Sequence, residues 1–284
     1  MKFSVVIINY NRQNLLRKCL NRVRASSLKP EKIIVVDDAS SDNSASMVKK
    51  EFPEAVLIQN KTNFGPTKSR NIGAKQAIGD YIIFLDNDLM ARKDTFEKLT
   101  DFMRKNPSAG ICGARMKPDG QEKMWWNMGY DPNNFRESIG YLFGFLLKIF
   151  PASKFLKKAS MIFILNYWDY NKIFLVDWVV EGCFIVKKNA FDQVGGFDEK
   201  FFMFFEGPDL CRRIRKLGYQ IYFNPEIETD LFDGHSHSNQ KRLAWSIQSK
   251  HYFYQKHYFY LKSNPLFFWL GNLISGALYK ISNK

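Results

Sequence analysis

The sequence predicts an α/β fold with a Rossmann-like, mostly parallel sheet that has helices on both faces. The first hundred residues alternate between short apolar runs and stretches whose apolar residues have helical spacing. Polar clusters directly follow three of the apolar runs. Strands that alternate with helices in this way form parallel sheets, because each helix returns the chain to the same end of the sheet.

The individual elements follow from these patterns in chain order. Four apolar runs of the first half are predicted as strands, namely Phe3–Ile8, Lys32–Val36, Ala55–Gln59 and Tyr81–Leu85. Helices are predicted over Leu15–Val23, from an N-cap at Ser40, Ser41 or Asp42 toward Lys50, and over Lys68–Ile78. In the second half we predict strands over Ala109–Arg115 and Val176–Val186, a helix over Leu210–Lys216, and an aromatic helical region beyond Asn239.

The charge distribution indicates an anionic partner. The net charge is +14 at pH 7, and basic residues stand among large apolar ones in residues 138–168 and in the tail after Lys262. This pattern suits an anionic membrane surface better than a nucleic-acid groove, although a solvated basic face is the simpler alternative. The two most apolar stretches, Ile139–Phe150 and Leu266–Tyr279, are shorter than the roughly 20 residues needed to span a bilayer. We expect peripheral membrane contact and no nucleic acid.

The cysteines and the N-terminus indicate the compartment. The four cysteines form no close pair, which argues against a disulfide framework or a zinc site and favours a reducing environment. The chain opens with a strand-like run and no signal peptide. We therefore expect a cytoplasmic protein that lies at the inner face of the cell membrane.

Three polar clusters mark the expected binding site. They are Asn9-Tyr10-Asn11, Asp37-Asp38 and Asp86-Asn87-Asp88, each just past a predicted strand. In open α/β sheets ligands bind outside the carboxyl ends of the strands, where these clusters meet. No G-x-G-x-x-G or Walker A sequence follows a strand, so a dinucleotide site or a P-loop is not predicted.

The Asp86-Asn87-Asp88 cluster has the spacing of a metal site. Two carboxylates one residue apart can hold Mg²⁺ or Mn²⁺, and substrate phosphates can complete the ligand shell. Bound to a diphosphate, such an ion neutralises the charge that builds on a leaving group. The alternative is an ordinary Asx-rich turn, which often has the same sequence.

Five segments carry a family resemblance. They are Val5–Arg12, Val35–Asp42, Asn63–Gly73, Ile82–Asp88 and Asp177–Glu199. In this order they resemble family 2 glycosyltransferases, and most closely the bacterial rhamnosyltransferase-like members. The resemblance extends over roughly residues 3–260. It implies a GT-A fold, a nucleotide-sugar donor, a Mg²⁺ or Mn²⁺ ion and inversion at the anomeric carbon.

The resemblance also implies roles for the donor-binding residues. Asp37 or Asp38 accepts hydrogen bonds from the base or ribose, with Asp38 the favoured one, while the other can cap the next helix. Arg70 approaches the donor phosphates, for which a planar guanidinium is suited, unless it is a solvated helix residue. Tyr10 lies along the nucleotide or packs in the core. We also place Asn9 and Asp86 among the donor-binding residues.

The expected catalytic base lies in Phe204–Leu210. Inverting transfer needs a base within hydrogen-bond reach of the acceptor hydroxyl. The family places Glu-Asp-x-Asp here, with the second carboxylate of the Glu-Asp pair as base, but this sequence has Gly207 at that position. We assign the base to Glu206, with Asp209 as the alternative. Asp209 also fits the first turn of a helix, where carboxylates are favoured.

Two histidines are further candidates for the metal or the phosphates. The family places such a histidine after the strand that follows the base helix, which corresponds to His235 or His237 of Gly234–Ser238. Surface or core histidines are the common alternative. We interpret His251 and His257 as interfacial aromatic residues.

The sequence as a whole predicts a metal-dependent, inverting glycosyltransferase. The donor is dTDP-rhamnose or a UDP-hexose, and the acceptor is a glycan or lipid-linked molecule in cell-surface polysaccharide assembly. Two alternatives stay open, a catalytically idle nucleotide-sugar-binding scaffold and a sugar-nucleotide nucleotidyltransferase. We expect a GT-A domain over residues 1–240, with donor and acceptor halves that meet near residue 115, and a helical extension over 241–284.

Overall fold

The computed structural model describes residues 1–118, 128–132, 171–232 and 239–258, together with short pieces between 146 and 156. Within these residues the strands are β1 (Phe3–Asn9), β2 (Lys32–Asp37), β3 (Ala55–Gln59), β4 (Tyr81–Asp86), β5 (Leu89–Ala91), β6 (Ala109–Pro118), β7 (Met128–Gly129), β8 (Phe174–Val176), β9 (Trp178–Val179), β10 (Cys183–Lys187) and β11 (Gln220–Leu231). The helices are α1 (Gln13–Ala25), α2 (Ser44–Glu51), α3 (Gly65–Ala74), α4 (Thr95–Lys105), α5 (Lys188–Gln193), α6 (Glu206–Lys216) and α7 (Asn239–His257).

A central sheet organises the described part of the chain. Its strand order is β3-β2-β1-β4-β10-β6-β11-β5, and β8 also pairs with β11. β1 pairs in parallel with β2 on one side and with β4 on the other, and β10 is inserted antiparallel to β4 and β6. The predicted α/β fold with helices around a Rossmann-like sheet is confirmed.

The strands are apolar on both faces because helices cover both. On one face Val5 and Ile7 pack with α1, α2 and α4, whose buried residues belong to the same cluster. On the other face Val6 packs with α3, α5 and α6. Gly73 of α3 permits close contact there, since a Cβ at this position would lie 2.5 Å from Val6 Cγ1. Such two-sided burial is why the strands read as continuous apolar runs.

Several predicted bounds were wrong. The strand expected over Val176–Val186 is divided into β8, β9 and β10, and Glu181 and Gly182 lie in the turn before β10. The helix expected over Lys68–Ile78 begins earlier, at Gly65, and ends at Ala74. Pro66 in its first turn explains the early start, because proline at this position is preorganised for a helix. The helix α4 was not predicted.

The C-terminal helix α7 is attached to the sheet domain by a buried carboxylate. Asp209 of α6 is fully buried and forms ion pairs with Arg213 (2.8 Å) and Lys256 (2.7 Å), while His257 Nε2 lies 2.7 Å from its Oδ1. Aromatic residues of α7 add an apolar contact around Phe201. No helix in the described stretches combines the length and apolar character that crossing a membrane requires.

The ion pairs of Asp209 make its protonation a stability determinant. Burial alone would raise the pKa of Asp209, but the His257 hydrogen bond and the Arg213 and Lys256 charges hold it at about 2, below its ordinary 3.8. A lowered folded pKa means that this stabilisation is complete above the unfolded pKa. It is lost as the pH falls toward the folded value.

We predict that Asp209→Asn lowers the free energy of unfolding by about 2–4 kcal/mol at pH 7, because Arg213, Lys256 and His257 lose the buried carboxylate charge that they face. Thermal or urea unfolding measures this difference, which should shrink between pH 4 and pH 2. Asp192→Asn is the matched control, since Asp192 forms a half-exposed pair with Lys188. A cost as small as that of the control would contradict the anchoring role of Asp209.

Candidate active site

A cavity of about 670 Å³ opens at the carboxyl ends of the parallel strands. The predicted site residues that line it are Asn9, Tyr10, Asp38, Arg70, Asp86, Asp88 and Glu206. The register explains this convergence, since Asn9 lies opposite Asp37 and Ile8 lies opposite Asp86. The predicted residues His235 and His237 lie outside the described part of the chain.

Asp37 is the structural member of the Asp37-Asp38 pair. Its Oδ1 accepts hydrogen bonds from Asn9 Nδ2 (3.1 Å) and Ser40 Oγ (2.6 Å), and its Oδ2 accepts one from Ser40 N (3.3 Å). Asp37 is buried and does not line the cavity. Asp37 therefore fixes the turn after β2, and the contact of Asp37 or Asp38 with the base or ribose stays a prediction in which Asp38 is the favoured residue.

Asp38 lines the cavity and also orders its far wall. Its carboxylate accepts hydrogen bonds from Phe64 N (2.9 Å), Gly65 N (2.9 Å) and Asn60 Nδ2 (2.8 Å). The residue after it, Ala39, has a φ of 62°, so the chain turns sharply here. Asp38 thereby holds the start of α3, the helix that carries Arg70.

Arg70 joins three elements at the base of the cavity. Its Nη2 lies 2.9 Å from Asp86 Oδ1 at the end of β4, and its Nη1 lies 3.2 Å from Glu206 Oε1 at the start of α6. Burial disfavours the charge of Arg70, but the carboxylates of Asp86 and Glu206 outweigh this and raise its pKa. The Arg70 side chain is only 5% exposed. The contact expected between Arg70 and donor phosphates stays a prediction, because both Nη atoms are already paired.

The Asp86-Asn87-Asp88 turn presents two carboxylates to the cavity. Asn87 Nδ2 donates to Asn9 Oδ1 (2.7 Å), and Asp86 N donates to Gly182 O (2.8 Å), so the turn is tied to two neighbouring strand ends. The Asp86 side chain is 32% exposed. These contacts leave both carboxylates on the cavity wall, where they can meet a ligand.

The residues of this turn fit a magnesium or manganese site in which the protein supplies only one or two carboxylate ligands. No group of three histidine, cysteine or carboxylate side chains surrounds a common point within the described ranges. Asp86 and Asp88 nevertheless line the same cavity. A hard cation held by one or two carboxylates and completed by substrate phosphates needs no larger protein cluster.

Glu206 begins α6 and lies against Arg70. Its side chain is 4% exposed, and its Oε2 is buried without a hydrogen-bond partner among the described residues. Burial raises the pKa of Glu206, although the Arg70 charge opposes this. Phe204 and Phe205 have φ values of 72° and 63°, so a strained turn directs Glu206 toward the cavity. Asp209 does not reach the cavity and instead anchors α7.

Glu181 is a cavity residue that the sequence analysis missed. It precedes Gly182 in the turn before β10, is partly buried and lines the cavity. Burial and the neighbouring Glu206 charge raise the pKa of Glu181 to about 8. Its carboxylate occupies the space beside Gly207, because a Cβ added there would overlap the Glu181 side chain. The glycine at position 207 was the only sequence signal for this arrangement.

Comparison with known proteins gives the same family as the sequence motifs. The model of glycosyl transferase family 2 matches residues 4–161. The chain is 24% identical over 252 residues to the N-acetylglucosaminyl-diphospho-decaprenol L-rhamnosyltransferase of Mycobacterium tuberculosis, which covers 82% of this chain and 76% of that protein. It is 34% identical over 113 residues to poly(ribitol-phosphate) beta-N-acetylglucosaminyltransferase TarS of Staphylococcus aureus, with 38% of this chain and 20% of TarS covered.

Solved structures share the fold. TarS residues 1–349 in complex with UDP-GlcNAc superimpose with a TM-score of 0.55 at 19% identity, covering 84% of this chain and 62% of that one. A mannosyltransferase of Pyrobaculum calidifontis in complex with GDP-Man and Mn²⁺ gives a TM-score of 0.56 at 15% identity, covering 87% and 61%. The chain thus spans less than two thirds of either solved chain. Since the family model covers more than half of its residues, the chain belongs to glycosyl transferase family 2.

Proposed function

We propose that this chain transfers a sugar from a nucleotide diphosphate donor, bound in the cavity, to a glycan or lipid-linked acceptor. The observation that carries the proposal is the convergence of Asp38, Asp86, Asp88 and Arg70 on one cavity at the carboxyl ends of the strands. We infer dTDP-rhamnose or a UDP-hexose as donor. The rhamnosyltransferase and TarS support an acceptor in cell-surface polysaccharide assembly, since their names specify a lipid diphosphate and a poly(ribitol-phosphate).

Different cavity residues would bind different parts of the donor. Asn9, Tyr10 and Asp38 lie at the ends of β1 and β2, where we place the base and ribose. Asp86 and Asp88 would hold Mg²⁺ or Mn²⁺, which when bound neutralises the charge on the departing diphosphate. Arg70 keeps Asp86 in place and adds positive charge beside it. A carboxylate then accepts the proton of the acceptor hydroxyl, and the hydroxyl oxygen attacks the anomeric carbon with inversion.

We predict that Asp86→Ala and Asp88→Ala each abolish metal-dependent binding of the nucleoside diphosphate. Thermal shift with UDP or dTDP, with and without Mn²⁺, measures it. At a ligand concentration 100 times Kd, wild-type protein should gain about 2.7 kcal/mol of stability, and the variants should lose the Mn²⁺-dependent part. Asp86 also pairs with Arg70, so Asp86→Ala is expected to lower the stability of the unliganded protein as well. Asp101→Ala, at an exposed pair with Arg104, is the matched control.

The same shift in both variants as in the wild type would place the metal elsewhere. A shift that is lost in the Asp101→Ala control as well would show that the assay reports general stability. Each variant is first unfolded without ligand, so that a fold defect is separated from a binding defect.

Turnover distinguishes the proposed transferase from its alternatives. We predict that the wild-type chain with Mn²⁺ releases nucleoside diphosphate from dTDP-rhamnose or a UDP-hexose, with water as acceptor. Coupled-enzyme detection of the nucleoside diphosphate measures the rate. Donor binding without any release would favour an idle scaffold, for which Gly207 is the specific observation. Pyrophosphate release from a nucleoside triphosphate and a sugar 1-phosphate would favour a nucleotidyltransferase.

We also propose peripheral contact with an anionic membrane. Much of residues 138–168, and the tail after Lys262, lie outside the described residues. Within the described pieces Ile149, Phe150 and Phe155 are exposed, and Phe155 is 78% exposed. Exposed aromatic residues beside lysines support insertion at the boundary between headgroups and acyl chains.

We expect the chain to float with anionic vesicles and not with neutral ones. It should detach as the salt concentration rises, since each lysine near an anionic surface adds about 1 kcal/mol of electrostatic attraction, which salt screens. Phe150→Ser with Phe155→Ser should reduce the floating fraction. Ile78→Ser is the control, because Ile78 is exposed outside this region. Equal recovery with neutral and anionic vesicles, or no recovery with either, would contradict membrane contact.

A further inference from the structure

We propose that Glu181 is the catalytic base, the carboxylate that takes the proton from the acceptor hydroxyl; this rests on the transferase activity proposed above. The inference begins with the space beside α6. A Cβ added at Gly207 would overlap the Glu181 carboxylate and would lie 2.9 Å from Glu181 Cγ. The Glu181 carboxylate therefore fills the volume into which a side chain at position 207 would project.

The position of the Glu181 carboxylate explains how the site can lack a carboxylate side chain at position 207. The family resemblance implies a basic carboxylate there, and the chain has glycine. Glu181 supplies a carboxylate at the same place from the turn between β9 and β10. The two features require each other, because any side chain at 207 would displace Glu181.

Three other cavity carboxylates, those of Asp38, Asp86 and Glu206, are already engaged. Asp38 accepts three hydrogen bonds from residues 60–65. Glu206 and Asp86 share the guanidinium of Arg70. Glu181 is partly exposed to the cavity and forms no direct ion pair within the described residues, although the charge of Arg70 is near enough to oppose the rise in its pKa. Among these carboxylates, Glu181 has the oxygens best able to receive an incoming proton.

The surroundings of Glu181 favour proton transfer. Burial and the negative charge of Glu206 strengthen its affinity for a proton, and a base works best when its pKa lies near the operating pH. In the step itself, Glu181 is in its ionised form, the acceptor O–H bond breaks, and the proton passes to an oxygen of the Glu181 carboxylate. The hydroxyl oxygen bonds to the anomeric carbon. The bond from that carbon to the diphosphate breaks, and its electron pair leaves with the diphosphate. Glu181 then releases the proton to water.

Glu206 has a supporting place in this arrangement. It was the base assigned from the sequence, but its side chain is 4% exposed and its Oε1 pairs with Arg70. Its negative charge raises the proton affinity of Glu181. Glu206 thus acts on the proton through Glu181 and Arg70, as a positioning residue.

The test moves the carboxylate between its two possible attachment points. We compare four variants. Three are the single variants Glu181→Gln, Glu206→Gln and Gly207→Asp, and the fourth is a double variant that combines Glu181→Ala with Gly207→Asp. The rate of nucleoside diphosphate release from dTDP-rhamnose and UDP-glucose is measured with water as acceptor. Affinity for dTDP and UDP is measured separately, and unfolding of each variant provides the fold control.

We expect Glu181→Gln to reduce the rate by about 10²–10⁴-fold with nucleotide affinity within about threefold of the wild type, as loss of a base does. Gly207→Asp alone should also be slow, because the two side chains compete for one volume. The double variant should recover at least about tenfold over Glu181→Gln, because it restores a carboxylate in the same space. Glu206→Gln should cost less in rate and more in stability, since it leaves Arg70 with one partner.

Three results would overturn the assignment. Wild-type rates in Glu181→Gln would show that another group takes the proton. A slow Glu206→Gln beside an unaffected Glu181→Gln would assign the base to Glu206. A double variant no faster than Glu181→Gln, although folded and able to bind nucleotide, would show that the coincidence of volumes has no catalytic meaning. A wild-type protein that binds dTDP or UDP poorly and turns over neither donor would instead contradict the proposed function.

Discussion

The buried guanidinium of Arg70 is the interaction on which the cavity depends. It connects α3, the end of β4 and the start of α6 through ion pairs of 2.9 Å with Asp86 and 3.2 Å with Glu206. Removing one partner of a buried pair leaves a charge without compensation and is strongly destabilising. The three segments are therefore held in one arrangement before any ligand binds. Preorganised charges of this kind need no rearrangement during the reaction, which favours catalysis.

The parallel register supplies the second constraint. Because β1 pairs in parallel with both β2 and β4, the three strands end at one edge of the sheet. The Asn87–Asn9 and Asn9–Asp37 hydrogen bonds join their ends side by side. The site is thus a consequence of strand direction, and it lies where open α/β sheets generally bind ligands.

The parts of the fold that could be predicted from the sequence are those set by local pattern. The strand ends and their polar clusters follow from short apolar runs, so the cavity and most of its lining could be expected. The sequence alone could not assign different roles to the adjacent residues Asp37 and Asp38. Their hydrogen bonds in the folded chain distinguish them, because Ser40 bonds to Asp37 and Asn60 bonds to Asp38, the one that lines the cavity. Similarly, Asp209 and Glu206 both suit the first turn of a helix.

The positions of Asp209 and Glu181 depend on contacts between segments that are far apart in the sequence. Asp209 is drawn away from the cavity by Lys256 and His257, which lie on a helix far along the chain. Glu181 enters the site because Gly207 leaves room for it, and no spacing within either segment encodes that meeting. Its carboxylate lies in a turn that the sequence predicted as part of one continuous strand. A strand would have directed the residues around it alternately to opposite faces of the sheet.

Charge balance in the cavity gives Glu181 its distinct chemistry. Arg70 forms ion pairs with Asp86 and Glu206, and its charge also opposes the rise in the pKa of Glu181. Burial and the Glu206 charge raise the pKa of Glu181 to about 8, so Glu181 must first lose its proton to water before it can act as the base. Among Asp86, Glu206 and Glu181, only Glu181 has no direct ion pair with Arg70 in the described part of the chain. The ion pairs that organise the cavity thus occupy the carboxylates of Asp86 and Glu206 and leave that of Glu181 open toward the cavity.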